Sequence, residues 1–245
     1  MISYHKYSVC ENEIVSKGIY KLSVKGSFEG KPGQFYMLRA WGTEPILSRP
    51  ISIHDKIKDK ISFLYEVKGR GTVQFSSLDT GDEIELLGPL GNGFDLSGLK
   101  GKVALVAGGI GVAPMFYTAK ELKGVSLDLY AGFRDDTYII EDFRKYVDSI
   151  KFSTDTGKSG HKGFITDIFD PSVYSSVLCC GPEIMMKKVV EMCNAGDVPV
   201  YISMEKHMAC GIGACLVCAC KTREGNKRAC KDGPVFNGKD VLFDA

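Results

Sequence analysis

The chain has 245 residues, room for two compact domains and a small appendage. Its 31 Lys+Arg nearly balance 30 Asp+Glu, which argues against a general nucleic-acid binder, a class that carries a basic excess. Met1 to Lys6 lead into charged residues without an apolar signal region, and the longest uncharged run, Val103 to Ala119, is short for a span and broken by Gly108, Gly109, Gly111 and Pro114, so neither a secretory signal nor a membrane span is expected.

Residues 1–98 read as β-rich. Short apolar stretches at Gly18–Val24, Gln34–Arg39, Ile61–Val67 and Glu83–Leu87 are separated by Gly, Pro, Asp and Lys turns, the pattern of a small antiparallel barrel or sandwich. No long helical period occurs there. Three places in this stretch carry candidate chemistry. In Arg49-Pro50-Ile51-Ser52 the arginine offers a fork of donors suited to phosphate and the serine a small hydroxyl; a solvated surface arginine is the plainer reading. Gly69-Arg70-Gly71-Thr72 offers N–H groups and a hydroxyl to a phosphate, or is a simple β-turn. Tyr65, between Leu64 and Glu66, either stacks on a flat ring or packs in the barrel.

From Lys102 the pattern changes to strand and helix in alternation, which predicts an α/β domain over 99–205 with a parallel sheet. Val103–Ala107 is a continuous apolar run, as in a buried parallel strand. A helix follows to about Lys123, then a strand at Leu127–Phe133, a helix at Ile140–Val147, a strand at Lys151–Thr154, a short helix near Phe164–Phe169, a strand at Ser176–Cys180, a helix at Glu183–Ala195 stopped by Gly196, and a last strand at Val198–Ser203. Gly108-Gly109-Ile110-Gly111-Val112-Ala113-Pro114 stands between strand and helix, where a pyrophosphate binds helix N–H groups. The third glycine of the dinucleotide fingerprint is missing, Pro114 stands in its place, and an ordinary tight turn has equal weight. Cys180-Gly181-Pro182-Glu183 is a second turn at the ligand-binding edge of such a sheet; Cys180 is either a packed thiol or a group facing a nicotinamide. Histidines at 5, 54, 161 and 207 are scattered, and no catalytic triad is visible.

The segment 206–245 is set apart by Cys210, Cys215, Cys218 and Cys230, spaced C-x4-C-x2-C-x11-C. The first three match the plant-type [2Fe–2S] pattern. A structural zinc site also takes four thiolates, but zinc knuckles show paired C-x2-C, and here the first gap holds Gly211 and Gly213, which let backbone N–H groups approach sulfur. Cys220 is the odd one out, and its exchange for a ligand stays open. Nine cysteines without a secretion signal suit a reducing cytoplasm and a metal or redox use.

Taken in order, the R-P-x-S strand, G-x-G-T turn, G-G-x-G-x-x-P turn, C-G-P turn and cysteine loop resemble the ferredoxin–NADP reductase superfamily. Within it, Met208–Cys215 and the Lys231–Phe236 tail resemble the iron–sulfur electron-transfer subunits of NAD-dependent, two-subunit dihydroorotate dehydrogenases. The resemblance implies a barrel that binds FAD along Arg49, Pro50, Ile51 and Ser52, beside Leu64, Tyr65 and Glu66, with Gly71 and Thr72 on the pyrophosphate. It implies NAD(H) across Gly109, Gly111, Cys180, Gly181 and Pro182, and a [2Fe–2S] cluster on Cys210, Cys215, Cys218 and Cys230. The implied partner is an FMN-containing subunit that oxidises dihydroorotate in pyrimidine synthesis, in a heterotetramer of two copies of each chain. Electrons would pass from it through cluster and FAD to NAD+. Ile51 stands where the superfamily has a flavin-stacking tyrosine, leaving Tyr65 as a substitute. Asp135 and Asp136 after the second α/β strand would repel a 2′-phosphate while Arg134 would attract one, and NAD is the expected nucleotide. Two other readings are a reductase subunit of a ferredoxin, hydrogenase or transhydrogenase complex, and, in another class, a zinc-stabilised nucleotide-binding regulator.

Overall fold

A computed structural model of the chain describes residues 2–243; Met1, Asp244 and Ala245, at the ends of the expected spans, lie outside the described residues. Six strands close into an antiparallel barrel: β1 (Ser3–Ser16), β2 (Ile19–Lys25), β3 (Phe35–Arg39), β4 (Arg49–Ile57), β5 (Lys60–Glu66) and β6 (Glu83–Leu90), in the order β1-β2-β5-β4-β3-β6. Alternation drives this closure. Leu22, Val24, Phe63, Ile84 and Leu86 are fully buried in the barrel, and each such side chain contributes about 1.5–3 kcal/mol on burial. Register is pinned by a polar pair on the other face of these strands: Ser23 and Ser62 are partners across β2 and β5, their hydroxyls 2.8 Å apart.

The second sheet has seven strands in the order β10-β9-β8-β7-β11-β12-β15. Its members are β7 (Lys102–Gly108), β8 (Ser126–Phe133), β9 (Ser149–Thr154), β10 (His161–Lys162), β11 (Ser176–Cys180), β12 (Val200–Ser203) and β15 (Val235–Asn237). All pairings are parallel except that of β15, which adds antiparallel to β12 after the cysteine segment. The hairpin β13 (Ala219–Thr222) and β14 (Gly225–Arg228) stands between Cys218 and Cys230. Both faces of the central strand are covered: Val103, Leu105 and Ala107 pack towards α2 (Val112–Glu121), while Ala104 and Val106 pack towards α3 (Glu183–Ala195). That two-sided burial is why Val103–Ala107 is apolar throughout rather than alternating.

The barrel and the sheet are fastened through α2. His54 of β4 stacks on Phe116 with ring centroids 4.9 Å apart, and its Nδ1 donates to the Ala113 carbonyl at 3.0 Å. Lys120 pairs with Asp55 at 2.7 Å, and the Tyr117 hydroxyl donates to the Gly30 carbonyl at 3.2 Å. Among the described residues no helix is long and apolar enough to cross a membrane.

Several local expectations are corrected. Gly69–Thr72 is not a β-turn but the start of α1 (Arg70–Ser76). Ile140–Val147 and Phe164–Phe169 hold only short 3₁₀ turns, at Ile140–Lys145 and Ile165–Asp167; the first is entered through Ile139 in a left-handed conformation. β1 was not anticipated, because most of its side chains are exposed or half-buried and only Val9 is fully inside, so its sequence lacks the apolar period of a core strand.

Candidate flavin, nicotinamide and cluster site

Where the C-terminal edge of the parallel sheet meets the barrel, a cavity of about 880 Å3 opens. Arg49, Pro50, Ile51 and Ser52 line it from β4, and Leu64, Tyr65 and Glu66 from β5. The opposite wall comes from Ile110, Ala113 and Pro114 at the start of α2 and from Cys180 and Glu183 around the second turn. The chain leaving β12, Ser203 to Met208, runs along one side, and Val217, next to the cysteine Cys218, closes the end. A single space thus touches barrel, sheet edge and cysteine loop.

Arg49 and α1 converge beside it. A Cβ on Gly71 would lie 2.7 Å from Arg49 Nε and 2.7 Å from the Trp41 ring, so only glycine lets the guanidinium rest on the first turn of the helix. Arg49 also lies over Trp41, 5.4 Å from its ring centroid, and donates to the Leu47 carbonyl. A guanidinium against the N–H groups of a helix start is a donor set for an anion. Thr72 does not add its hydroxyl to that set: Oγ1 accepts from the N–H groups of Lys68 and Gly69 at 2.9 and 3.1 Å and caps the helix.

Tyr65 is not a stacking platform. Its ring points into the barrel, stacked on Tyr20 at 5.8 Å and edge-on to Phe75, and its hydroxyl donates to Asn12 at 3.3 Å. It substitutes for no aromatic at Ile51, which lines the cavity half-buried.

The two glycine turns lie against one another. A Cβ on Gly111 would sit 2.3 Å from the Cys180 carbonyl oxygen, and one on Gly181 2.8 Å from the Gly108 nitrogen. Gly109, by contrast, has a φ of +53 and faces open space. Gly111 and Gly181 therefore serve backbone packing, while Gly109 leaves the turn open to a ligand. Cys180 is a core thiol only 2% exposed that also lines the cavity; burial pushes its thiol up, and Ser203 hydrogen-bonds it.

The cysteine loop between β12 and β13 has little regular structure. Cys218 and Cys230 are buried and Cys215 is exposed. Gly211 and Gly213 both have positive φ, and their missing side chains leave room for Met37 of the barrel and for Lys231. The loop aims amides at sulfur: Ala214 N donates to Cys210 Sγ at 3.3 Å and Cys230 N to Cys218 Sγ at 3.5 Å. Burial pushes the Cys210 thiol up, but N–H donors of Cys215, Ile212 and Ala214 outweigh it and hold it at about 6. The thiols form two pairs, Cys210 with Cys215 and Cys218 with Cys230, with Cys230 also feeling Cys210. No three donors among the described residues gather round one ion's position. Four thiols with amides aimed at two of their sulfurs are a donor set that fits a two-iron cluster. Arg228 braces the loop, donating to the Gly213 carbonyl at 3.1 Å and pairing with Asp232 at 2.9 Å. Cys220 lies on β13 with its Sγ donating to the Cys218 carbonyl at 3.8 Å; burial pushes its thiol up to about 11, Cys218 and Glu183 add to the rise and Lys206 opposes it.

Compared with known proteins, residues 205–242 match the iron-sulfur cluster binding domain of dihydroorotate dehydrogenase B. Over 240 residues the chain is 60% identical to the dihydroorotate dehydrogenase B (NAD(+)) electron transfer subunit of Clostridium acetobutylicum, covering 98% of each. The chain belongs to the family of dihydroorotate dehydrogenase B electron transfer subunits. The Clostridium perfringens member is 54% identical, with 99% of each chain covered. A solved structure described as an NADH-dependent reduced ferredoxin-NADP oxidoreductase, studied for flavin-based electron bifurcation, superposes with a TM-score of 0.86 at 28% identity, over 96% of this chain and 89% of that one. Family membership and fold agree with the ferredoxin-reductase-like architecture expected from the motifs.

Among the cavity residues that escaped the motif reading are Phe35, Ser203, Glu205, Lys206 and His207. Four of them lie on the stretch leaving β12, and the one signal for them was position, since that stretch must carry the chain from the ligand edge of the sheet to Cys210.

Proposed function

We propose that this chain passes electrons from a dihydroorotate-oxidising, FMN-containing partner to NAD+ in pyrimidine synthesis. In this reading the barrel of residues 1–98 holds FAD, the sheet of 99–205 receives NAD(H) and 206–245 carries a [2Fe–2S] cluster. The observation that carries it is the single cavity bounded by β4, β5, the two glycine turns and Val217 of the cysteine loop. The cluster exchanges single electrons and the nicotinamide a pair, and a flavin handles both, so the three groups belong side by side.

Arg49, Pro50, Ile51 and Ser52 line the flavin with Leu64, Tyr65 and Glu66, and Arg49 with the N–H groups of Gly71 and Thr72 binds its pyrophosphate. Support comes from the contact between Gly71 and the Arg49 guanidinium. Gly109 leaves space for the nicotinamide nucleotide, Gly111, Gly181 and Pro182 shape the floor, and Cys180 excludes water beneath the ring; burial and the open left-handed Gly109 support this. Asp135, at the end of β8, disfavours a 2′-phosphate. Cys210, Cys215, Cys218 and Cys230 hold the cluster, supported by the amides aimed at Cys210 and Cys218. The chain works in the cytoplasm, where its nine unpaired cysteines persist, as one of two copies in a heterotetramer with two catalytic subunits.

The test is co-expression with a candidate FMN subunit. Two irons, two sulfides and one FAD per copy of this chain, with dihydroorotate-dependent NAD+ reduction only in the complex, are expected. The same cofactors without that activity would assign the chain to another electron-transfer complex.

A further inference from the structure

Two ion pairs stand on the cavity wall, and they differ in exposure. Lys68 pairs with Glu66 at 2.8 Å, but its side chain is 71% exposed and solvent screens it. Lys206 pairs with Glu183 at 2.9 Å, and its side chain is 26% exposed. Both Lys206 and Glu183 line the cavity. Lys206 lies on the stretch between β12 and Cys210, while Glu183 is the first residue of α3, directly after the Cys180-Gly181-Pro182 turn, where the helix N-terminus favours a carboxylate. No proposed ligand role accounts for this pair.

We propose that Lys206 and Glu183 are opposed tuning residues of the flavin, Lys206 raising its reduction potential and Glu183 holding that effect back. The inference rests on the reading that the cavity holds FAD. Two electrons and one proton taken up by a flavin leave it one unit more negative. A half-buried ammonium on the wall stabilises that added charge, and a carboxylate on the same wall opposes it. The electrons are those the partner's substrate releases, and NAD+ takes them up as a hydride, so the pair adds no reactant. It sets how far downhill the electrons run between cluster, flavin and nicotinamide. Neither residue touches a reacting atom by this account; both act through the field.

The test uses the assembled complex carrying Lys206→Gln, Glu183→Gln, both together, or Lys206→Arg. Released flavin is counted first, and the FAD midpoint potential is then read by spectroelectrochemical titration. Full FAD content is expected, with a lower potential in K206Q, a higher one in E183Q, a near-native value in the double variant and the native value in K206R. Merely structural damage would move both single variants the same way, and that result, or unchanged potentials at full FAD content, overturns the proposal. Should K206Q not retain flavin, E183Q decides alone: a potential that fails to rise overturns it. A native complex without FAD would instead remove the cavity reading itself.

Discussion

Gly111 and Cys180 meet backbone to backbone: a Cβ on the glycine would lie 2.3 Å from the cysteine's carbonyl oxygen. This contact joins the turn after β7 to the turn after β11 and so builds the sheet edge on which the nucleotide site is proposed. Gly111 has an ordinary helical φ of −58, so the requirement is space and not conformation. Gly111→Ala therefore forces the two turns apart, at a cost of about 1–3 kcal/mol typical of overpacking. A lower melting temperature together with weaker NADH binding is expected; a native melting temperature would mean that the turns yield freely.

Arg49 is held by Gly71, Trp41 and Leu47 in one orientation. Arg49→Lys keeps the charge and loses the planar fork and the ring contact. Loss of a charged hydrogen bond, about 1.5–3 kcal/mol, corresponds to roughly tenfold to hundredfold weaker FAD binding. Flavin retained after gel filtration, compared with the native chain, measures it.

Among the cysteines, Cys230→Ser removes a buried thiol of the proposed ligand set, and Cys220→Ser removes a buried thiol outside it. The first variant should lose the cluster's iron, sulfide and visible absorption, and the second should keep all three. A C220S protein that keeps its flavin but lacks the cluster's iron and sulfide would make Cys220 a ligand.

Asn92 ties the barrel to the cluster segment, its Nδ2 donating to the carbonyls of Lys231 at 3.0 Å and Asp232 at 3.2 Å, directly after Cys230. Asn92→Ala removes about 1–2 kcal/mol of hydrogen bonding from that clasp. Faster loss of iron to a chelator is expected, with little change in flavin content, which is read on the same sample.

His54 is buried between barrel and α2, and burial pushes its pKa below the ordinary value. In the unfolded chain the ring takes a proton near pH 6.5. The unfolded state therefore binds more protons below that pH, and stability falls as pH drops through about 6.5 towards the lower folded value. His54→Phe keeps the ring packing on Phe116 and removes the titration. Its melting temperature should change less between pH 7 and about pH 5.5 than that of the native chain, in scans of the two side by side.

Much of this was legible in one dimension. The spacing from Cys210 to Cys230, the apolar run Val103–Ala107 and the turns with Gly109 and Cys180 are local features, and each specifies its chemistry or its strand without reference to the rest of the chain. What local sequence left open was direction and company. Tyr65 was equally suited to a flavin or to the core until the closed barrel turned its ring towards Tyr20 and Phe75. Thr72 offered a hydroxyl to phosphate until a helix began at Arg70 and used it as a cap. Glu183 ended the Cys180 turn and Lys206 carried no motif; 23 positions apart, they became a pair only when α3 and the exit from β12 were folded onto one wall. Periodicity and ligand spacing are set by covalent geometry within a few residues, whereas the orientation of a side chain and the partner it meets are set by long-range packing, which only the folded chain decides.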